Sequence, residues 1–376
     1  GMRTVTFTTP KRLVGALLAG ALVVAACGGS AATPAPTGTP APATAAPTDG
    51  STPEPTQAPI NADLVGAGAS FPVPIYSEWI SDFAAVQAGV RINYRSIGSS
   101  GGHGQFIPQS VDLARAGAVV KDAEIEAALG ARQCTDVLHI PTVFGGVAIA
   151  YNVSGVDGLV LDGETIAQIA LGNITNLNDP AIAALNPGVS LPSQALTWVH
   201  RSDGSGTTSI FTKYLASVSQ AWKDGPGSGS SVTWPAGIGA DQNDGVAAAI
   251  SQQPGGIGYV SYEFAAEIGL PVASVRNKDG NAIAPSSESV SIAAGTVTVP
   301  DDFRFDILGV GGQGYPIAGA TWVLAYTCGM DAAKGDALRA FLTWALTDGT
   351  PSVTELNFAP LPDELRTRVL AAVDRI

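Results

Sequence analysis

The chain has 376 residues, with 32 acidic side chains against 19 Lys and Arg and a formal net charge of −13. That balance argues against nucleic acid as a partner, and it requires any anion site to work through local dipoles and one or two cations rather than an overall field. The body from residue 63 to 376 is long enough for two lobes of ordinary domain size.

Arg3, Lys11 and Arg12 precede an apolar run over 13–26, which is short for a membrane span and has the charge-then-apolar order of a secretory signal. The run ends in Val24-Ala25-Ala26-Cys27, which resembles the bacterial lipobox and predicts Cys27 as the lipid-modified first residue of the mature chain. From 28 to 62 the chain is Pro, Ala, Thr, Gly and Ser with almost no large apolar residue. Such a segment cannot bury enough surface to fold and reads as a disordered tether. Lipid, tether and body in that order predict an extracytoplasmic protein anchored to the cell membrane.

Strand-like and helix-like segments alternate along the body, the pattern of an α/β protein. Phe71-Pro72-Val73-Pro74 opens a helix carrying Ile75, Tyr76, Trp79, Ile80 and Phe83; prolines are tolerated in a first turn, whose N–H groups lack partners anyway. Residues 90–96 alternate as a strand, Gly98-Ser99-Ser100-Gly101-Gly102 follows as a loop, and a helix begins at Gly104 or Gln105. Cys134 precedes the strand-like run 137–150, and Cys328 follows the run 321–326. If those strands pair antiparallel the two cysteines come close, so they are either disulfide-bonded or two free thiols. Their distance in sequence, with only three scattered histidines, argues against a metal centre, and no cofactor is called for. A second strand–loop–helix unit surrounds Trp198-Val199, a helix covers 245–252, and a short strand covers 257–260.

The strongest chemical signal is Arg201-Ser202-Asp203-Gly204-Ser205-Gly206-Thr207-Thr208, which runs into a helical stripe of Ile210, Phe211, Tyr214, Leu215 and Val218. A helix N-terminus offers unpaired N–H groups and the positive end of a dipole. Arg201 adds a planar fork suited to oxyanions. Comparable glycine-and-hydroxyl loops occur at Gly66-Ala67-Gly68-Ala69-Ser70-Phe71 and at 98–102. Each alone is an ordinary helix cap; three converging on one cleft beside an arginine would be an anion cage.

These residues resemble a known family. Gly66-Ala-Gly-Ala-Ser-Phe-Pro-Val-Pro74, Ile97-Gly-Ser-Ser-Gly-Gly102, Pro141-Thr-Val-Phe-Gly-Gly146, Leu191-Pro-Ser-Gln194, Arg201-Ser-Asp-Gly-Ser-Gly-Thr207, Asn243-Asp-Gly245 and Gly256-Ile-Gly-Tyr-Val260 stand in the order and spacing of the periplasmic phosphate-binding proteins of ABC importers, the PstS family. Phe341-Leu-Thr-Trp344 and Leu361-Pro362 fit as well. The resemblance implies a two-lobed, hinged α/β binding protein of the type II, Venus-flytrap kind, not an enzyme, working with the importer's permease subunits. It implies a first lobe of 63–149 plus 258–376, a second of 150–257, and hinge strands near 146–151 and 257–262. Carried over, inorganic phosphate is held by Ser70, Phe71 and Ser99 from one lobe and by Arg201, Ser205, Gly206 and Thr207 from the other, with Asp203 holding the Arg201 fork.

One position departs. In relatives a second carboxylate accepts a hydrogen bond from protonated phosphate; here the segment reads Val111-Asp112-Leu113-Ala114-Arg115-Ala116-Gly117-Ala118-Val119, with Gly117 at that place and Asp112 matching a structural Asp. Losing one charge-assisted hydrogen bond costs about 1.5–3 kcal/mol and relaxes discrimination against sulfate. Arg115 is expected to be solvated or salt-bridged rather than a ligand. The alternatives are therefore an oxyanion binder of relaxed selectivity or a non-transport sensor. A serine hydrolase comes last. Gly98–Gly102 matches G-x-S-x-G around Ser100, but His103, His139 and His200 do not follow it as a nucleophile elbow requires. A phosphate-loop nucleotidase lacks its Gly-Lys-Ser/Thr.

Overall fold

The computed structural model describes residues 59–376 except 118, 133 and 135; the expected signal segment, Cys27 and the tether up to residue 58 lie outside the described residues. The chain opens with β1 (Ala62–Gly68), α1 (Val73–Val86), β2 (Val90–Ser96), α2 (Gly98–Phe106), β3 (Leu113–Ala116) and α3 (Asp122–Arg132). The long β4 (Val137–Tyr151) leads to β5 (Val160–Leu161), α4 (Gly163–Ala170), α5 (Pro180–Leu185), β6 (Thr197–Arg201), α6 (Gly206–Val218) and α7 (Gln220–Asp224). Then come β7 (Ile238–Ala240), α8 (Gln242–Gln252), β8 (Gly256–Ser261), α9 (Tyr262–Glu267), β9 (Ser274–Arg276), β10 (Ala282–Ile283) and α10 (Ser287–Ala294). The body ends with β11 (Ala318–Tyr326), α11 (Ala332–Leu346), α12 (Pro351–Glu355) and α13 (Asp363–Val373).

The larger sheet has the strand order β2-β1-β3-β11-β4-β8-β6-β7, and a smaller one has β10-β9-β5. All fifteen residues of β4 are buried, so its continuous apolar run replaces the alternation of a one-faced strand. Its first part pairs antiparallel with β11 and its last five residues with β8, so one strand carries the chain from one half of the sheet to the other. Pro141 cannot donate to the ladder and faces Trp322, where the register shifts.

β1 runs parallel to β2 and β3, and β6 runs parallel to β7 and β8. Helices α1, α2 and α6 each start just past the carboxyl end of one of these strands, the edge where open α/β sheets bind ligands.

Several local expectations shift. The 98–102 segment is the first half of α2 rather than a loop before it. Its glycines are required by packing: a Cβ on Gly102 would lie 2.6 Å from Gly68 Cα, and Gly98 has φ +75 with no room beside Asp203. Helix α8 starts three residues before the expected 245. On the α6 stripe Phe211, Tyr214 and Leu215 are buried, whereas Val218 at the helix end is 44 % exposed.

Around α1 the core holds Tyr76, Trp79 and Phe83, with Phe83 edge-on to Phe341 of α11 and Trp79 Nε1 donating to the Gly349 carbonyl at 2.8 Å. The other half carries an aromatic stack in which Phe211 lies 4.3 Å from Tyr259, flanked by Trp198 and Trp234. Cys134 and Cys328 are bonded to each other, beside the Val137–Tyr326 pair that starts the β4–β11 ladder. That resolves the open choice in favour of the disulfide.

Candidate functional site

Arg201 is the last residue of β6, and its buried guanidinium turns back on Asp203: Nε to Oδ1 is 2.6 Å and Nη2 to Oδ2 is 2.5 Å. Burial works to raise the Asp203 carboxyl, but the hydrogen bonds and charge of Arg201 and the Gln242 N–H outweigh it, and the group titrates below the ordinary carboxylate range. The third arm of the fork, Nη1, is buried with no partner among the described residues. Ser205 then caps α6 in an extended conformation, its Oγ accepting the Thr208 N–H.

The three loops anticipated from the sequence do converge. Gly117, at the end of β3, donates its N–H to Ser99 Oγ of α2 at 3.2 Å. Gly117 also lies flat against the start of α6: a Cβ built on Gly206 would sit 2.3 Å from Gly117 Cα. Ser70, before α1, meets Thr207 through Asn243 of α8, whose Nδ2 donates to Ser70 Oγ and to Thr207 Oγ1, both at 3.1 Å. Phe71 places its ring against Gly145 of β4 and edge-on to Phe358. Rim contacts close over these groups: Ser100 N–H donates to the Gly204 carbonyl at 3.2 Å, Ser100 and Ser230 share a hydroxyl contact at 3.1 Å, and Ser96 bonds Gln242.

The hydroxyls have a fixed sense. Asn243 Oδ1 accepts the Ser261 backbone N–H at 3.1 Å, and because that group can only donate, the amide is oriented and Nδ2 must be the donor. Ser70 and Thr207 therefore accept from Asn243, Ser99 accepts from Gly117, and Ser205 accepts from Thr208. Each hydroxyl is left with a proton to give. With Arg201 Nη1, these four hydroxyls give the site a set of donors, suited to an anion.

Sequence reasoning quoted Asn243 within a motif but gave it no task; its partners lie 173 and 36 residues away. Tyr259 was also missed: its hydroxyl accepts the Arg201 N–H at 3.1 Å and pairs with Thr208 at 2.7 Å, fixing the end of β6. Glu263 is fully buried at the start of α9; burial pushes its carboxyl up to about 8 against the opposing Ser261 hydroxyl, and its Oε1 has no partner among the described residues. Asp112 holds the Val65 N–H and pairs with Lys334, a structural task as expected.

Arg115 overturns its expectation. It is 0 % exposed, it makes no salt bridge among the described residues, and its three guanidinium nitrogens have no hydrogen-bond partner there. Its Cζ instead lies 3.5 Å from the centre of the Tyr76 ring and 3.8 Å from that of Tyr94. The cation is clamped between two aromatic faces, an arrangement that three elements supply and no local pattern announces.

An eight-stranded sheet whose halves are joined by β4, with helices starting past the carboxyl ends of its parallel strands, defines a class: a two-lobed solute-binding protein of the periplasmic type II fold. Residues 41–349 match the PBP superfamily domain. A phosphate-binding protein PstS from Pasteurella multocida is 39 % identical over 313 residues, covering 82 % of this chain and 89 % of that one. The phosphate-binding protein PstS 3 of Mycobacterium tuberculosis is 34 % identical over 373 residues, covering 96 % and 97 %. In three dimensions a high-affinity periplasmic phosphate-binding protein, PfluDING, solved with phosphate bound, aligns with a TM-score of 0.69 at 24 % identity, covering 82 % of this chain and 93 % of that one. The chain belongs to the PBP superfamily, within the PstS family of phosphate-binding proteins.

Proposed function

We propose that this protein captures inorganic phosphate between its two lobes, outside the cytoplasm, and delivers it to the permease subunits of an ABC importer. The observation that carries this reading is the buried meeting of three helix N-termini with an arginine whose Nη1 is unpartnered. The names of its relatives point the same way. Ser70, Phe71 and Ser99 face Arg201, Ser205, Gly206 and Thr207 across the cleft, with Asp203 holding the Arg201 fork. The lobes are 63–149 with 258–376 and 150–257, and the hinge is the β4–β8 pair, where Val147 to Tyr151 face Ser261 to Ile257. Closure on the ligand would present one rigid face to the permease. Titration calorimetry with phosphate tests this: saturable one-to-one binding is expected, and no binding of any tetrahedral oxyanion refutes it.

No helix among the described residues is long and apolar enough to cross a membrane. Cys27 would carry the lipid, and the segment from 28 up to the start of β1 at Ala62 would act as the tether. Membrane fractionation of wild type and Cys27→Ser tests the anchor; equal release of both into the soluble fraction refutes it.

A second reading, relaxed selectivity, is favoured by Gly117. A Cβ there would lie 3.0 Å from Gly206 Cα, and the Asp203 carboxylate is already taken by Arg201. A site without a free carboxylate gives a protonated ligand no charged group to donate to. Sulfate binding within about a hundredfold of phosphate is expected on this reading, a gap of about 2.7 kcal/mol.

A further inference from the structure

We propose that Arg115 supplies the anion site with an uncompensated positive charge, and that this makes a tetrahedral dianion its preferred ligand. The inference rests on the proposed anion site and extends it to the ligand's charge state.

The placement comes first. Arg115 pairs with Gly68 on one side and Val323 on the other, at the carboxyl end of β1 and β3. Its carbonyl accepts the Ala69 N–H at 3.0 Å, so its backbone holds the loop that carries Ser70 and Phe71. Side chains two apart in a strand share a face, which puts the Arg115 side chain on the face toward which position 117 would project. Tyr94, one of its two flanking rings, donates its hydroxyl to the Ala69 carbonyl at 2.7 Å, and the other, Tyr76, is in the first turn of α1. The cation therefore stands behind the Ala69–Phe71 loop, under the positive end of α1.

The charges then decide. A buried arginine keeps its proton. Buried charges are ordinarily paired, and an unpaired one is costly. Among the described residues no carboxylate forms a salt bridge with Arg115. Asp203 is taken by Arg201, Asp112 is taken by Lys334, and burial pushes the Glu263 carboxyl up to about 8, toward its neutral form. The two tyrosine faces stabilise the cation without cancelling its charge. Arg201 with Asp203 is neutral as a pair, so the site carries one net positive charge from Arg115, and a bound anion is the partner it lacks.

The test is a charge comparison at one pH. Near about pH 5 phosphate is mostly a monoanion while sulfate remains a dianion, and every protein group is in the same state for both. Coulomb energy scales with ligand charge, so removing one protein charge costs about tenfold in phosphate affinity and about a hundredfold in sulfate affinity. Calorimetry is run with sodium sulfate and sodium phosphate on wild type, Arg115→Met and Arg115→Lys, with the melting temperature of each ligand-free protein. Arg115→Met is expected to lose sulfate disproportionately, and Arg115→Lys to retain most of it. Equal losses for both anions, or affinities within about threefold of wild type, overturn the proposal. A wild-type protein that binds neither anion refutes the anion site itself. Should Arg115→Met not fold, Arg115→Lys against Arg115→Gln gives the same comparison of charge.

Discussion

Gly206 and Gly117 bring two backbones together across the site, and Gly206→Ala probes that approach directly. A Cβ on Gly206 would lie 2.3 Å from Gly117 Cα, 2.6 Å from its carbonyl carbon and 2.7 Å from its nitrogen. Carbon atoms need about 3.5–4.0 Å, so the two backbones must part by more than an ångström. No flexible side chain is there to give way. The N–H groups of Gly206 and Thr207 then miss a ligand held by the other lobe. Hydrogen bonds to a charged group are worth about 1.5–3 kcal/mol each, so their combined loss is about 3–6 kcal/mol, or about 10²–10⁴-fold in phosphate affinity. Gly206 has no positive φ and opens a helix, where alanine is favourable, so the ligand-free melting temperature should hold or rise. Calorimetry and small-angle scattering check this: weak binding and no compaction with phosphate are expected. An affinity within about threefold of wild type would falsify the claim that closure brings these two backbones together.

Three further outcomes are expected. Arg201→Lys keeps the charge but loses the two-pronged grip on Asp203, which should weaken phosphate binding by about 1.5–3 kcal/mol; an unchanged Kd would mean the fork does not orient the ligand contact. Cys134→Ser with Cys328→Ser opens a crosslink between residues 194 apart in sequence and should cost about 2–5 kcal/mol of stability with binding retained, measured by urea unfolding; an unchanged midpoint refutes it. Burial raises Glu263 from the ordinary 4.5 to about 8, so between those values the folded protein keeps a proton that the unfolded chain has released. Stability should therefore decline as pH rises through that window and level off above it. Glu263→Gln should remove a slope worth a few kcal/mol between about pH 5 and pH 9; parallel profiles for the two proteins would sink the assignment.

Features that depend on neighbours in sequence were legible. The β2 alternation, the β6–loop–α6 unit and the Ser205 cap follow from local spacing, and the structure places them accordingly. Features assembled across the fold were not. The α2 glycines look like a loop because glycine is a weak helix former, until the contact of Gly102 with Gly68 shows why nothing larger fits. Arg115 sits in the small-residue run Leu-Ala-Arg-Ala, which gives no hint that Tyr76 and Tyr94 will enclose it. Asn243 stands just ahead of the helix expected over 245–252 and reads as an ordinary polar residue, because its meaning lies in partners on other elements.

The rim contacts between Ser100 and Gly204, Ser100 and Ser230, and Ser96 and Gln242 involve no ligand. They favour the shut cleft without using the anion-binding groups, so they bear on how long a captured ion stays rather than on which ion enters. Release is then gated: Ser100→Ala, which removes the hydroxyl contact with Ser230, should speed phosphate dissociation and leave the association rate unchanged.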